Sequence, residues 1–190
     1  MVQPFDYRSF DFPIVCLCGS AGALNAYRTI LARLTGGPGV AIVVLAHRAP
    51  ENSTLLPLLA NVTDMPVSEV EEGTILEPDH VFLMPPRVYM TTTGKSFHLQ
   101  PNRRYGWPKS ISVFLFSLAS SIGSRAIVVI LSGMAADGSD ALGLIKAAGG
   151  WTFAQSGAVY DSMPQNAIDT GHVDYIFPAV GISEQIARMI

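Results

Sequence analysis

The chain has 190 residues, of which 49% are hydrophobic and 14% charged, and its formal net charge is −3 at pH 7. This length supports one domain with a sizeable core, and the low charge is typical of a sheet that is covered on both faces. No apolar run reaches the roughly 18 residues that span a bilayer, and residues 1–11 lack the apolar stretch of a signal peptide, so we expect a cytoplasmic protein. The negative net charge gives no general reason to expect nucleic acid as a partner.

The first predicted unit is a strand, a tight turn and a helix. Residues 14–17 are all apolar, as in a strand buried on both faces. Small residues fill positions 18–23, and apolar residues then recur at helical spacing as far as Leu34. We therefore expect Ser20 just beyond the carboxyl end of a strand and at a helix N-terminus, where N–H groups and the helix dipole can stabilise an oxyanion.

Three interpretations of Ser20 stay open from this stretch alone. Serine is a good N-cap residue, so one interpretation is that its hydroxyl only caps the helix. The Gly19-Ser20-Ala21-Gly22 turn is also of a kind that holds a phosphate group. The third interpretation is a catalytic nucleophile.

The second predicted unit begins with a strand at residues 40–46, which ends in His47. Ser53 is placed to cap the short apolar helix that follows, over residues 55–59. This unit therefore places a histidine at a second strand end.

The middle of the chain predicts shorter strands, at residues 66–70 and 81–84. Residues 88–92 and 96–100 flank Thr93-Gly94-Lys95, which is a strong hairpin signal. Such a hairpin can lie at the edge of a mainly parallel sheet.

The last part of the chain alternates helices and strands. Ser110 or Ser112 is expected to cap a helix that extends to Ala119, and a strand at residues 126–131 runs into the loop of Asp137. The remaining predicted elements are helices at 140–148, 164–170 and 182–190 and strands at 151–154 and 173–177. The alternation predicts an α/β fold: a doubly wound, mainly parallel sheet with helices on both faces and an antiparallel hairpin.

The two cysteines, Cys16 and Cys18, lie two positions apart in or at the end of the first strand. Their side chains would point to the same face about 6–7 Å apart, which is poor geometry for a disulfide. We expect reduced thiols, no metal site and no cofactor.

Three polar residues follow three predicted strands: Ser20, His47 and Asp137. Sites in parallel sheets form at the carboxyl ends of the strands, so these side chains are expected to meet. A serine, a base and a carboxylate are the parts of an acyl-transfer triad, which is defined by geometry and not by order in the chain.

Each of these residues also has a simpler interpretation. His47 can be a structural histidine, and Asp137, which precedes a glycine, can be a turn residue. The other histidines, His80, His98 and His172, are interpreted as structural.

Four segments together resemble the catalytic domain of the chemotaxis protein-glutamate methylesterase (CheB) family. The resemblance covers roughly residue 13 to the C-terminus. The segments are Gly19-Ser20-Ala21-Gly22; His47 with Pro50; Leu131-Ser132-Gly133-Met134-Ala135-Ala136-Asp137-Gly138; and Gly149-Gly150 with Ala154-Gln155, Met163-Pro164 and Gly171-His172-Val173-Asp174.

This resemblance implies roles for individual residues. Ser20 would be the nucleophile, His47 the base and Asp137 the orienting carboxylate, with the backbone at Ala21 and Met134 forming the oxyanion hole. The family removes methyl groups from receptor glutamyl esters, releasing methanol, and can deamidate receptor glutamines. The implied partners are the cytoplasmic helices of methyl-accepting chemotaxis receptors, in signal transduction.

The chain departs from the family pattern at Cys18 and Ala23 in the first turn, at Arg48 after the histidine, and at Ser112, where an aspartate is frequent. An alanine at position 23 fits only with a negative φ. None of these four positions belongs to the predicted triad.

The expected organisation is a tail at residues 1–12 and a catalytic domain at 13–190, without the receiver domain that is usual in the family. An open site that needs no phosphodonor is therefore expected. Arg48, Arg103 and Arg104 are candidates to attract acidic receptor helices, or else are solvated loop charges.

Two other functions stay possible at the level of sequence. One is a nucleotide- or phosphate-binding α/β module, which would use the first turn but lacks a convincing phosphate-binding motif. The other is a domain that retains the triad residues but serves only to bind receptor helices.

Overall fold

The structure is a computed structural model that describes residues 12–47, 54–102 and 109–190. Its strands are β1 Ile14–Gly19, β2 Ala41–Ala46, β3 Val67–Glu69, β4 His80–Leu83, β5 Val88–Thr93, β6 Ser96–Pro101, β7 Ala126–Ile130, β8 Trp151–Gln155 and β9 Tyr175–Phe177. Its α-helices are α1 Leu24–Leu31, α2 Leu55–Ala60, α3 Ser110–Ser121, α4 Leu142–Ala147, α5 Ser162–Asp169 and α6 Ala179–Met189, with 3₁₀ turns at Gly123–Arg125 and Ser139–Ala141.

Seven strands form one parallel sheet in the order β3-β4-β2-β1-β7-β8-β9. Every residue of β1, β2 and β7 is buried, because helices cover both faces. The α3, α4 and α5 helices pack on one face and α1, α2 and α6 on the other. The predicted fold class is confirmed. The central strands are continuous apolar runs because both faces of the sheet are covered by helices.

The hairpin forms as predicted, and it does not take the position at the edge of the main sheet that such hairpins can occupy. Strands β5 and β6 form a separate two-stranded sheet, to which Ile75 adds one antiparallel bridge at Ser96. The buried Met90 and Phe97 turn inward, and the Phe97 ring lies 6.1 Å from that of Phe114 on α3. Ser117 accepts a hydrogen bond from the Thr92 N–H. Because the hairpin packs against α3, these apolar side chains are buried. At the edge of the main sheet, one face of the hairpin would be exposed.

Helix starts also differ from the prediction. The N-cap of α1 is Ala23, not Ser20, and that of α3 is Lys109, not Ser110 or Ser112. Ser53 lies outside the described residues. Capping is therefore not the role of the Ser20 hydroxyl, and the Ser112 hydroxyl makes other hydrogen bonds, which are described below.

Several element boundaries shift by a few residues. The predicted helix at 140–148 divides into the 3₁₀ turn Ser139–Ala141 and α4, after Gly138 at φ 93°. Helix α1 ends at Leu31. Leu34 is nevertheless buried, and its N–H donates to the carbonyls of Ile30 and Leu31. Within the described residues, the helices are all too short or too polar to cross a membrane.

Candidate active site

The carboxyl ends of the central strands bring Ser20 and His47 side by side. β1 and β2 pair in parallel up to Gly19 opposite Ala46, so Ser20 and His47 are the next residues of that register. The His47 N–H continues the ladder by donating to the Gly19 carbonyl at 3.3 Å. Ser20 itself is partly exposed, at the point where its strand leaves the sheet.

Asp137 reaches the same place from the loop after β7. Its Oδ2 lies 2.7 Å from Nε2 of His47, and the two side chains are only 5% and 14% exposed. The start of this loop is tied to the serine, because the Ser20 N–H donates to the Ser132 carbonyl at 3.0 Å. All three residues singled out from the sequence therefore lie at one edge of the sheet.

The Asp137 carboxylate is held by the first turn of α3. Oδ2 accepts the Ile111 N–H at 3.0 Å, and Oδ1 accepts the Ser112 N–H at 2.9 Å and its hydroxyl at 2.7 Å. Burial raises the pKa of this carboxyl, but the hydrogen bonds from His47, Ser112 and Ile111 outweigh it, so the pKa lies below its ordinary value. Asp137 is therefore an ionised carboxylate at neutral pH.

Ser112 is a site residue that the sequence analysis misassigned as a helix cap. Besides donating to Asp137, its buried hydroxyl oxygen accepts the Gly138 N–H at 2.9 Å. The same oxygen lies 2.5 Å from Oδ1 of Asp140, whose other oxygen accepts from Lys109 at 3.0 Å. Ser112 lies three positions after the N-cap residue Lys109, inside the helix, so its hydroxyl does not cap α3.

The two positions implied for an oxyanion hole lie on the turn after β1 and the loop after β7. The Ala21 carbonyl accepts the Ser132 hydroxyl at 2.8 Å, which joins the turn after β1 to the loop after β7. Within the described parts of the chain, neither the Ala21 nor the Met134 N–H donates a hydrogen bond. A Cβ on Gly133 would lie 3.2 Å from the Ser20 Cβ, so the two loops approach closely here.

Gly22 is required by the packing beside the serine. Its φ is 76°, and a Cβ there would lie 2.7 Å from the Ser132 hydroxyl oxygen and 2.9 Å from the Val159 Cβ. Val159, Tyr160 and Met134 leave large apolar side chains exposed around this point. Ala23 has a φ of −76°, so the alanine at this position is unstrained, as the sequence analysis required.

The other histidines make separate local contacts. Nε2 of His80, at the amino end of β4, lies 2.8 Å from the Ser68 hydroxyl, and Nδ1 of His98 lies 2.9 Å from Glu72. The ring of His172 lies against Gly143.

The other residues singled out from the sequence are not part of the described site. Cys16 and Cys18 are free and fully buried in β1, where burial raises the pKa of both thiols. Arg48, Arg103 and Arg104 lie outside the described residues.

The comparison with protein families decides the membership of the chain. The model of the CheB methylesterase family matches residues 15–186. The chain belongs to the CheB methylesterase family. The matched residues include Ser20, His47 and Asp137.

Similar proteins agree with this assignment. The crystal structure of the Thermotoga maritima CheB methylesterase catalytic domain superposes with a TM-score of 0.85 at 25% identity, covering 95% of this chain and all of that one. A protein-glutamate methylesterase/protein-glutamine glutaminase of Syntrophomonas wolfei is 29% identical over 93% of this chain and 54% of its own length. An uncharacterized 104.1 kDa protein of Rhodobacter capsulatus is 44% identical over 62% of this chain and 12% of its own. The chain thus spans about half the length of several curated relatives, and much less of the Rhodobacter protein.

Proposed function

We propose that this CheB-family domain is a serine hydrolase that removes methyl groups from glutamate γ-methyl esters of protein substrates. The observation that carries the proposal is the His47–Asp137 pair at 2.7 Å, in register beside Ser20. A buried, ionised carboxylate on one imidazole nitrogen fixes the ring and stabilises the imidazolium that forms during acyl transfer. Because Nε2 faces Asp137, Nδ1 is the nitrogen that accepts the serine proton.

The first half of the reaction forms an acyl-enzyme. The Ser20 hydroxyl oxygen attacks the ester carbonyl carbon while His47 takes the hydroxyl proton. The carbonyl oxygen becomes an oxyanion, for which we assign the N–H groups of Ala21 and Met134 as donors. The tetrahedral intermediate then collapses, and methanol leaves with the proton from His47.

The second half restores the enzyme. A water molecule attacks the glutamyl–serine ester while His47 takes its proton, and the Ser20 oxygen leaves with that proton as the free glutamate side chain is released. The same steps with a glutamine substrate release ammonia instead of methanol, so deamidation is the second activity that we assign. The site needs no metal or cofactor for either reaction.

The biological context follows from the family. We assign the catalytic domain to residues 13–190, methyl-accepting chemotaxis receptors as the substrate proteins, and signal transduction in the cytoplasm as the setting. The family match over residues 15–186 supports the domain, and the names of the relatives support the substrate class. The exposed apolar side chains of Met134, Val159 and Tyr160 border the place where a receptor helix would lie.

The test combines active-site labelling with turnover. A fluorophosphonate probe is expected to label the wild-type protein and the Ser120→Ala variant, whose serine lies exposed on α3, but not the Ser20→Ala variant. Methylated receptor fragments incubated with wild type are expected to release methanol, and the Ser20→Ala variant is expected to lose this by several orders of magnitude.

Two outcomes would contradict the proposal. Labelling at Ser20 without methanol release would indicate a domain that binds receptors without turning them over. Wild-type turnover by a folded Ser20→Ala variant would remove the serine from the mechanism.

A further inference from the structure

The loop between Met134 and Asp137 contains a strained residue. Ala135 has a φ of 73°, in the left-handed region, where the Cβ of an L-residue approaches a carbonyl oxygen too closely. Such a conformation persists only where the surroundings over-determine it. Ala135 is also exposed, so burial of its own side chain does not hold it there.

Helix α5 supplies the contacts that hold this loop. The side-chain amide of Asn166 donates from Nδ2 to the Ala135 carbonyl at 3.0 Å. At the other end of the loop, the Gly133 carbonyl accepts the Met163 N–H at 3.0 Å and the Gly133 N–H donates to the Tyr160 carbonyl at 3.1 Å. The loop therefore rests on α5 at two points, one on each side of Met134.

The helix is a rigid support for these contacts. Met163, Pro164 and Ala167 of α5 are buried against the core, so the helix cannot shift without loss of packing. Asn166 projects from the same helix and is only partly buried. Its amide is the one side-chain hydrogen bond from α5 to the strained residue in the described part of the chain.

We propose that Asn166 is a positioning residue for the reaction: its amide holds Ala135 in the left-handed conformation and thereby restrains Met134, whose N–H belongs to the same peptide group as the Gly133 carbonyl that accepts from Met163. The proposal rests on the proposed function, in which the Met134 N–H meets the oxyanion. Asn166 itself does not touch the reacting atoms. A misaligned donor weakens transition-state stabilisation more than ground-state binding, so the loss of Asn166 lowers kcat and leaves KM nearly unchanged.

Glycine at position 135 provides a specific test of this mechanism. Glycine populates positive φ about as readily as negative φ, so an Ala135→Gly loop can adopt the active conformation without the amide. The effect of removing Asn166 should therefore be smaller in the glycine background. A residue that supported only the folding of α5 would have the same effect in both backgrounds.

The experiment is a double-mutant cycle with 4-nitrophenyl acetate as the ester. The variants are Asn166→Ala, Asn166→Asp, Ala135→Gly and the double variant Asn166→Ala/Ala135→Gly, with Gln165→Ala as the control on the neighbouring exposed position of α5. We expect Asn166→Ala to lower kcat about tenfold in the natural background and about threefold or less in the glycine background, because the two positions are coupled through one contact. Asn166→Asp, which keeps the size but has no N–H to donate, is expected to lose at least as much.

The proposal is overturned if kcat is unchanged in Asn166→Ala, if only KM rises, or if the loss is equal in both backgrounds. Alanine is favourable within a helix, so the Asn166→Ala variant is expected to fold, and Asn166→Asp provides a second measurement. Fluorophosphonate labelling of Ser20 distinguishes failure of the proposed function from failure of the role of Asn166. Absence of labelling and turnover in the wild type overturns the proposed function, whereas an active wild type with an equally active Asn166→Ala overturns only the role of Asn166.

Discussion

Nε2 of His47 lies 2.7 Å from Oδ2 of Asp137, although the two residues are 90 positions apart in the chain. The same carboxylate oxygen accepts the Ile111 N–H at 3.0 Å, so its position is set by the start of α3 as well as by the histidine. The imidazole is therefore oriented before a substrate arrives. Its orientation places Nε2 on the carboxylate, so in the mechanism that we propose Nδ1 accepts the serine proton.

Asp137→Asn tests the contribution of the carboxylate. The amide side chain can hold the ring in the tautomer that cannot accept the serine proton, so we expect kcat to fall by about 10⁴-fold, as the equivalent change does in a serine protease. The measurement is ester hydrolysis at saturating substrate. Asp169→Asn, which changes an exposed carboxylate on α5, is the matched control and is expected to stay active. A loss of only a few-fold would mean that another group orients His47.

Ser112→Ala tests the support beneath the carboxylate. The change removes one donor from Asp137 and leaves the buried Gly138 N–H without its acceptor, so we expect the free energy of unfolding to fall by about 1–3 kcal/mol. We also expect a lower kcat, because Asp137 keeps fewer contacts. Chemical denaturation and ester turnover measure the two effects, with Ser120→Ala as the exposed control. Unchanged stability and rate would show that the Ser112 hydroxyl is dispensable.

The pH dependence of turnover tests His47 as the base. Protonated imidazole cannot accept the serine proton, so the single-turnover acylation rate is expected to fall on acidification. A flat profile from mildly acidic to mildly basic pH would contradict a histidine base.

The pH dependence of stability tests the charge state of Asp137. The pKa of this carboxyl is lowered in the folded state from an ordinary value of about 3.9, so its ionised form stabilises the fold fully above about pH 5 and loses that contribution as the pH falls through the folded-state pKa. We expect the difference in unfolding free energy between wild type and Asp137→Asn to narrow between about pH 5 and pH 2.

The Asp137→Asn variant is needed as a reference because the pKa of a second carboxyl, that of Asp174, is also lowered in the folded state. Burial raises the pKa of Asp174, but the hydrogen bonds from Lys146 and Thr152 lower it by more than burial raises it. The pKa of Asp174 therefore lies below its ordinary value. The pH dependence of the wild-type unfolding free energy therefore contains contributions from both Asp137 and Asp174. A difference curve that does not change with pH would show that Asp137 contributes no stabilisation through its charge.

Much of the fold was predictable because its signals are local. The buried strands are continuous apolar runs, and glycines or polar residues follow each of them, so the strands that end near Ser20, His47 and Asp137 were placed within one or two residues. The hairpin was recognised from its turn residues for the same reason. Its location was not, because whether the hairpin packs against α3 or extends the edge of the main sheet depends on tertiary contacts that turn residues do not specify.

The sequence by itself determined the order of the elements, the α/β class and the three residue types that converge at the carboxyl ends of parallel strands, because apolar periodicity and turn chemistry are encoded over a few neighbouring positions. Only the tertiary structure decided how those residues are supported. That Ser112 donates to Asp137 across 25 positions, and that Asn166 binds the carbonyl of Ala135 across 31, depends on how α3 and α5 pack against the loop after β7. Such contacts arise from the relative placement of whole elements, and no local pattern of residues specifies that placement.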